Sequence, residues 1–332
     1  MKKKLIALIS ALLVCSLLAA CGISSPSPSK IGTVTKEQIS ENTSAARQST
    51  KASEATAEKT TEATVKDIYD VGDIVEVSGR KIIYTACGEY ISDSPYLQPG
   101  DGNKYIFLEF YVENVGNSSI SVSYFDFNAY ADGYAVDQKY FDEDALRGSL
   151  SPGRWNLGKV YFEIPADATE IEAEYEYNMI SGKKLKFAYE GTKDSGFVPD
   201  AKTSPSNDTF KPGDIIETGK YRITYVSCDF FVSDNMFIKP EEGNEFIYLE
   251  FEFENTSDSD RSVSSLLFEC YADGRICRST SLRDDDLSAT LSPGRKVKGT
   301  VAFQVPKDAS VIEIEFQENL LSGKAAIFSF EK

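Results

Sequence analysis

The sequence predicts an all-β protein: two antiparallel β-sandwiches in tandem behind an export leader and a flexible tether. Three observations carry that reading. Apolar and polar residues alternate with the period of a half-buried strand, as where Ile106, Leu108, Phe110 and Val112 share one face and Glu109 and Glu113 the other. Turn signals separate such runs, and no long amphipathic helix interrupts them. One block of sequence is also spelled twice, since "LSPGR" stands at Leu150 to Arg154 and again at Leu291 to Arg295.

The chain opens with "MKKKLIALISALLVCSLLAACG". Lys2, Lys3 and Lys4 precede an apolar run from Leu5 to Leu18, about 14 residues, which suits a secretory leader and is short for a membrane span. The run ends in Leu18-Ala19-Ala20-Cys21-Gly22, which resembles a bacterial lipobox, the motif whose Cys is lipidated and becomes the mature N-terminus. Residues 1–20 are therefore expected to leave as a signal peptide, and Cys21 to carry the lipid that holds the protein to a membrane. Residues 21–66 are Ser, Thr, Ala, Lys and Glu with almost no large apolar side chain. Such a stretch cannot offset its chain entropy by burial, and is expected to be a flexible tether. A tether of this kind suits a protein that must clear a cell wall, which favours a Gram-positive host and an extracellular position.

Two folded units follow. With Gly72 set against Gly213 the alignment runs ungapped to the end of the chain. "GNKYIFLEFYVEN" from Gly102 meets "GNEFIYLEFEFEN" from Gly243, and "YADG" at Tyr130 meets "YADG" at Tyr271. A duplicated unit of about 120 residues is large enough to hold its own core and too long for a solenoid repeat. The first unit is expected at 67–191, a Pro- and Ser-containing linker at 192–208, and the second unit at 209–332. In the second unit Ile247, Leu249, Phe251 and Phe253 take the inward positions. Val160, Phe162 and Ile164 alternate before Pro165, as Val301, Phe303 and Val305 do before Pro306; Ile171, Ala173, Tyr175 and Tyr177 make a further strand. Asp132-Gly133 and Asp273-Gly274 are hairpin turn signals. Ser-Pro-Gly-Arg fits a type II turn, with Pro presetting φ and Gly taking the positive φ that follows.

The pattern Gly102-Asn103-Lys104-Tyr105, Val112-Glu113-Asn114, Tyr130-Ala131-Asp132-Gly133, Leu150-Ser151-Pro152-Gly153 and Gly158 to Pro165 resembles a family of uncharacterised bacterial lipoprotein domains. These are similar in fold to the mycobacterial immunoprotective extracellular antigen, so the resemblance implies an immunoglobulin-like sandwich. The second unit matches through Gly243-Asn244, Asn255, Asp273-Gly274, Leu291 to Gly294, Gly299 and Pro306. These motifs are turns and core strands, so they bear on fold and little on chemistry.

The net charge is −17, and about −20 once the three leader lysines are gone. Such a chain has no basic footprint for nucleic acid or for anionic lipid. There is no His, which removes the commonest general base and metal ligand. Neither a G-x-S-x-G nor a P-loop is present, so no catalytic residue, cofactor or metal is assigned and no enzyme is expected. The acidic runs Asp142-Glu143-Asp144 and Asp284-Asp285-Asp286 read as solvated loops or as oxygen ligands for a cation.

Cys270 and Cys277 bracket "YADGRI", which would place them opposite each other across a hairpin, and export permits a disulfide between them. The first unit has Ala129 and Val136 there, so the fold does not require the bond. Cys87 and Cys228 occupy one position in the two units and read as small buried side chains or reactive thiols. The longest loop of each unit carries aromatics: Tyr90 and Tyr96 in the first, Phe230, Phe231 and Phe237 in the second. Those rings either form a partner-binding surface at the sandwich end or fold back to cap the core. The function expected is that of a cell-surface lipoprotein that binds a protein or envelope polymer without catalysis. The alternatives are an envelope spacer without a ligand and, more remotely, a metal-dependent enzyme.

Overall fold

The computed structural model describes residues 29–33, 68–141, 144–178, 182–202, 209–233, 238–281, 285–317 and 325–330. The leader and Cys21 lie outside them. No α-helix occurs among the described residues; the helical pieces are single 3-10 turns at Tyr124–Asp126 and Ser265–Leu267.

Each unit is an antiparallel β-sandwich. In the first, the strands Asp73–Val77, Arg80–Tyr90, Asn103–Asn114 and Trp155–Pro165 form the front sheet. Lys183–Tyr189, Ile171–Asn178, Phe127–Ala131 and Tyr134–Ala135 form the back sheet. The second unit repeats this with Ile215–Glu217, Tyr221–Phe231, Asn244–Asn255 and Lys296–Pro306 in front, and Phe268–Ala272, Ile312–Phe316 and Ala326–Phe330 behind.

The alternation read from the sequence is the burial pattern, except at the joint end of Asn103–Asn114, where Tyr111 and Glu113 on the outer face are buried as well. Ile106, Leu108 and Phe110 are fully buried, as are Ile247, Leu249, Phe251 and Phe253. Matching aromatic pairs lie at the centres of the two cores: Tyr84 stacks on Phe110 at 5.0 Å between centroids, and Tyr225 on Phe251 at 5.1 Å. Each tyrosine hydroxyl crosses to the opposite sheet, donating to the Ala188 and Ser329 carbonyls at 3.0 Å. Irregular registers also recur, with a bulge between Tyr84 and Ala86 and another between Tyr225 and Ser227. Asp132-Gly133 and Asp273-Gly274 take the paired positive φ of a type I′ hairpin. Gly153 and Gly294 take φ of 79° and 72°, which closes both Ser-Pro-Gly-Arg turns as expected.

Two expectations need correction. Within the stretch read as a bare tether, Ser29–Thr33 adds an antiparallel strand to Asp73–Val77, whose outer edge offers unpaired backbone groups. The stretch read as a linker is held along part of its length. Lys193–Asp194 pairs with Ala86 and Cys87, and the Phe197 ring meets Tyr111 edge-on at 5.0 Å.

Candidate functional site

The aromatic loops divide between the two readings open to them. Tyr90 folds back: its ring lies 4.4 Å from Phe141 and 5.0 Å from Tyr161. Tyr96 points outward and is 93% exposed, flanked by Ile91 at 84% and Leu97 at 50%. The loop beneath Tyr96 is tied down. Gln98 Nε2 donates to the Ser92 and Ser94 carbonyls at 3.0 and 2.7 Å. Glu163 accepts from the Gly100 amide, Asn103 Nδ2 and Lys139 Nζ at 2.7, 2.8 and 2.8 Å. Lys139, Asn103 and the Gly100 amide together hold the Glu163 carboxyl down at about 2. In the second unit Phe230 lies against Phe330 at 5.2 Å and is 40% exposed, Phe231 is half-buried, and Phe237 lies outside the described residues.

The most polar buried structure is the joint between the units, which sequence reasoning did not find. Strand Trp155–Pro165 continues across it, Trp155 pairing in parallel with Arg275, so the front sheet of the first unit runs on into the back sheet of the second. The Trp155 amide and Nε1 donate to the Gly274 and Asp273 carbonyls. Arg154, the last residue of the first "LSPGR", is fully buried. Its Nη1 meets Glu313 Oε2 at 2.7 Å, its Nε and Nη2 meet Glu315 Oε1 at 2.8 and 2.7 Å, and its guanidinium lies 4.5 Å over the Tyr271 ring. Tyr271 Oη in turn donates to the Ser149 carbonyl and accepts from the Ser151 amide. From the linker, Lys202 donates its amide to Asp273 O and pairs its ammonium with Glu113. Gly148 makes room here: a Cβ would come 2.5 Å from Ile276 Cδ1, and its φ of 144° is one that other residues rarely adopt. Glu269, beside this cluster, has its carboxyl pushed up to about 7 by burial and by the Glu315 charge.

Cys270 and Cys277 do face each other, Cys277 N–H donating to Cys270 O at 2.8 Å. The cross-link expected between them is not formed: both are free thiols, and Cys277 Sγ is directed to the Arg275 carbonyl at 3.7 Å. Burial pushes the Cys270 thiol well up, which leaves little thiolate. Cys87 is buried and directs its Sγ to the Gly191 carbonyl at 3.0 Å, while Cys228 is half-buried. No group of three or more acidic or Cys residues is placed to hold a metal ion among the described residues, and Asp142, Glu143 and Asp284 lie outside them.

A family model described as a domain of unknown function, DUF4352, matches residues 69–186 and again 210–327. The chain belongs to the DUF4352 family. Its two DUF4352 units are the two sandwiches, and the Arg154 joint lies between them. No curated protein matches the chain. Several solved structures are similar to part of the chain. The ycdA protein of Bacillus subtilis, a candidate lipoprotein, matches over 35% of this chain and 38% of its own length, at 14% identity and a TM-score of 0.32. The yjhA protein of Bacillus subtilis matches over 36% and 98%, at 16% identity and 0.30. An uncharacterized β-sandwich protein of Clostridium difficile matches over 39% and 99%, at 14% identity and 0.27.

Proposed function

We propose that this DUF4352 protein is a lipid-anchored surface module that binds a protein or envelope polymer without catalysis, through the loop end of its first unit. The observation that carries the reading is Tyr96. The ring is 93% exposed on a loop whose backbone is held by Gln98 and Glu163, so little backbone entropy is lost when a partner meets it. Ile91 and Leu97 enlarge the apolar area around it. The leader and Cys21 support anchoring at the outer face of the membrane, with residues 22–28, which precede the strand Ser29–Thr33, as spacer, and the surface position fits the similarity to exported sandwich domains that the sequence suggests. The acid balance of the chain speaks for a partner other than nucleic acid.

The test is binding of residues 22–332 to purified cell-wall polymer and, separately, to solubilised envelope proteins, with Tyr96→Ala as control. Tyr96→Ala is expected to weaken capture about tenfold while leaving the melting temperature unchanged. Equal capture by the variant, or none by the parent, overturns the reading. Anchoring is tested apart from binding: Cys21→Ala should leave the membrane fraction or stay unprocessed, and its normal retention would count against lipidation.

A further inference from the structure

The joint joins one end of the first unit to a different face of the second. Because the units are copies, each surface used in the joint exists twice, and one example of each is left over. The turn of the second unit, Leu291 to Arg295, has the same sequence and closure as that of the first: Arg295 N–H donates to Ser292 O at 3.0 Å, as Arg154 N–H does to Ser151 O. Yet Arg154 is fully buried and Arg295 is exposed, its guanidinium in no ion pair among the described residues. The back sheet of the first unit carries the counterpart of the receiving surface. Tyr130 matches Tyr271, Asp132-Gly133 matches Asp273-Gly274 with the same positive φ, and Glu172 and Glu174 match Glu313 and Glu315. Tyr130, Gly133, Glu172 and Glu174 line an open pocket on that face.

We propose that the second unit of one molecule docks on the first unit of another copy of this chain, Arg295 entering between Tyr130, Glu172 and Glu174 as Arg154 enters its own partner. The contact is heterologous, so each molecule keeps one free turn and one free receiving face, and addition continues into linear chains or closes into a ring.

The positions at which the two examples differ change in complementary ways. In the joint Gly148 makes room for Ile276; in the copies the turn side gains a methyl, Ala289, and the receiving side shrinks to Ala135. Trp155 and Leu157 of the joint become Lys296 and Lys298, while Val311 and Gln317 become Glu170 and Glu176. In the docked arrangement Lys296 and Lys298, which pair with Glu252, Glu254 and Glu250 of their own sheet and are half exposed, would come to face the acidic residues gained on the other surface. Backbone edges also match. The Lys296 end of strand Lys296–Pro306 lies beyond the stretch covered by Arg278–Thr280, and Tyr134, 80% exposed, stands where Arg275 completes the sheet inside the joint.

Lys184 and Lys186 make the contact reversible. They pair with Glu174 and Glu172 at 2.7 Å, at positions where the second unit has Ala325 and Ile327 and Arg154 supplies the cation. Both lysines are partly exposed, at 34% and 44%, and can turn to solvent when Arg295 arrives. The contact between copies is therefore weaker and more salt-sensitive than the joint inside one chain. It leaves the Ile91 end of the Tyr96 loop open, because the counterpart of Ile91 at the internal joint, Val232, is 87% exposed. The proposal stands apart from the ligand reading, and its test uses no ligand.

The experiment is sedimentation velocity on residues 22–332, which keep every described residue, over rising protein concentration at low and at high salt. The parent is expected to show concentration-dependent species beyond a dimer that dissociate in 0.5 M NaCl. Arg295→Ala, and separately Glu172→Lys with Glu174→Lys, should each weaken association tenfold or more. Mixed together, the two variants should form a one-to-one dimer and nothing larger, because only one intact turn and one intact receiving face remain between them. That outcome also separates a head-to-tail contact from a two-fold one. Arg295 is exposed, so its variant tests the contact without loading the fold. A parent that stays monomeric up to millimolar concentration, or variants that associate as the parent does, overturns the proposal.

Discussion

Asn114 and Asn255 perform one task in the two units. Each is fully buried, and each spans a sandwich end with the same pair of bonds: Asn114 Nδ2 donates to Ser118 O and Leu150 O at 2.8 and 2.7 Å, and Asn255 Nδ2 to Ser259 O and Leu291 O at 2.8 and 2.7 Å. The Oδ1 atoms accept the Gly116 and Ser257 amides. Each amide thus fastens the Ser-Pro-Gly-Arg turn to the neighbouring loop.

Removing either side chain strands two carbonyls and an amide. Asn114→Ala and Asn255→Ala should each lower stability by about 2–3 kcal/mol. Urea unfolding of each variant measures it; a loss confined to one of the two would show that the matching geometries are not matched in energy.

Arg154 and Arg295 should respond in opposite ways. Arg154→Ala leaves Glu313 and Glu315 buried without their cation, a defect of about 3–5 kcal/mol. The second unit should melt earlier, and the segment at Lys202 should become open to protease. Arg295→Ala changes an exposed side chain and should shift stability by about 0.5 kcal/mol or less. Equal melting curves for the two would contradict the joint.

Gly158 and Gly299 leave no room for a methyl group. A Cβ would lie 2.7 Å from Leu146 Cα in the first case and 2.8 Å from Leu287 Cα in the second, against backbone that cannot turn aside. Alanine at either position should cost about 1–3 kcal/mol and separate the crossing segment from the strand. Amide exchange at Leu146 and Leu287, whose N–H groups donate to Lys159 O and Thr300 O, reports that separation directly.

Two carboxyls give stability opposite pH slopes. Glu269 is pushed up to about 7 from an ordinary 4.5, so between those values the folded chain keeps a proton that the unfolded chain has released. Stability therefore falls as pH rises through that window, and Glu269→Gln should flatten it. Asn128 in the first unit is the uncharged counterpart. Glu163 is held at about 2, below its ordinary 4.5, so the unfolded chain takes up the proton first. Its contribution is complete above 4.5 and is lost as pH falls towards 2. Glu163→Gln should lose that acid-side slope. Melting temperatures across pH 2 to 9 measure both, and unchanged slopes in either variant would remove that residue from the account.

The strands and turns were legible because their information is local. Alternation fixes which face of Asn103–Asn114 is buried, and Asp-Gly or Pro-Gly supplies the positive φ that a turn needs. The joint was not legible in the same way, because Arg154 and Arg295 share their local sequence and differ only in what lies across from them. A comparison of the copies held the missing signal. Trp155 and Leu157 stand where the second unit has Lys296 and Lys298, and Ala325 and Ile327 stand where the first has Lys184 and Lys186. Apolar residues at positions that are charged in the other copy mark a surface covered in one unit alone. The loop rings divided because alternation says nothing of a loop: Tyr90 found Phe141 and Tyr161 within reach, and Tyr96 did not.

Trp155 is the single tryptophan of the chain, and it lies in the joint with its indole N–H on the Asp273 carbonyl. Tryptophan emission therefore reports the joint, through Asp273 and Gly274, together with the outer face of the first unit and Phe197 packed beside the ring, and is nearly blind to the interior of the second unit. Ring packing against Tyr111 at 5.3 Å and 6% exposure set a blue-shifted starting spectrum. A red shift without loss of far-ultraviolet β signal would record the units parting while both remain folded, with no dye or label attached.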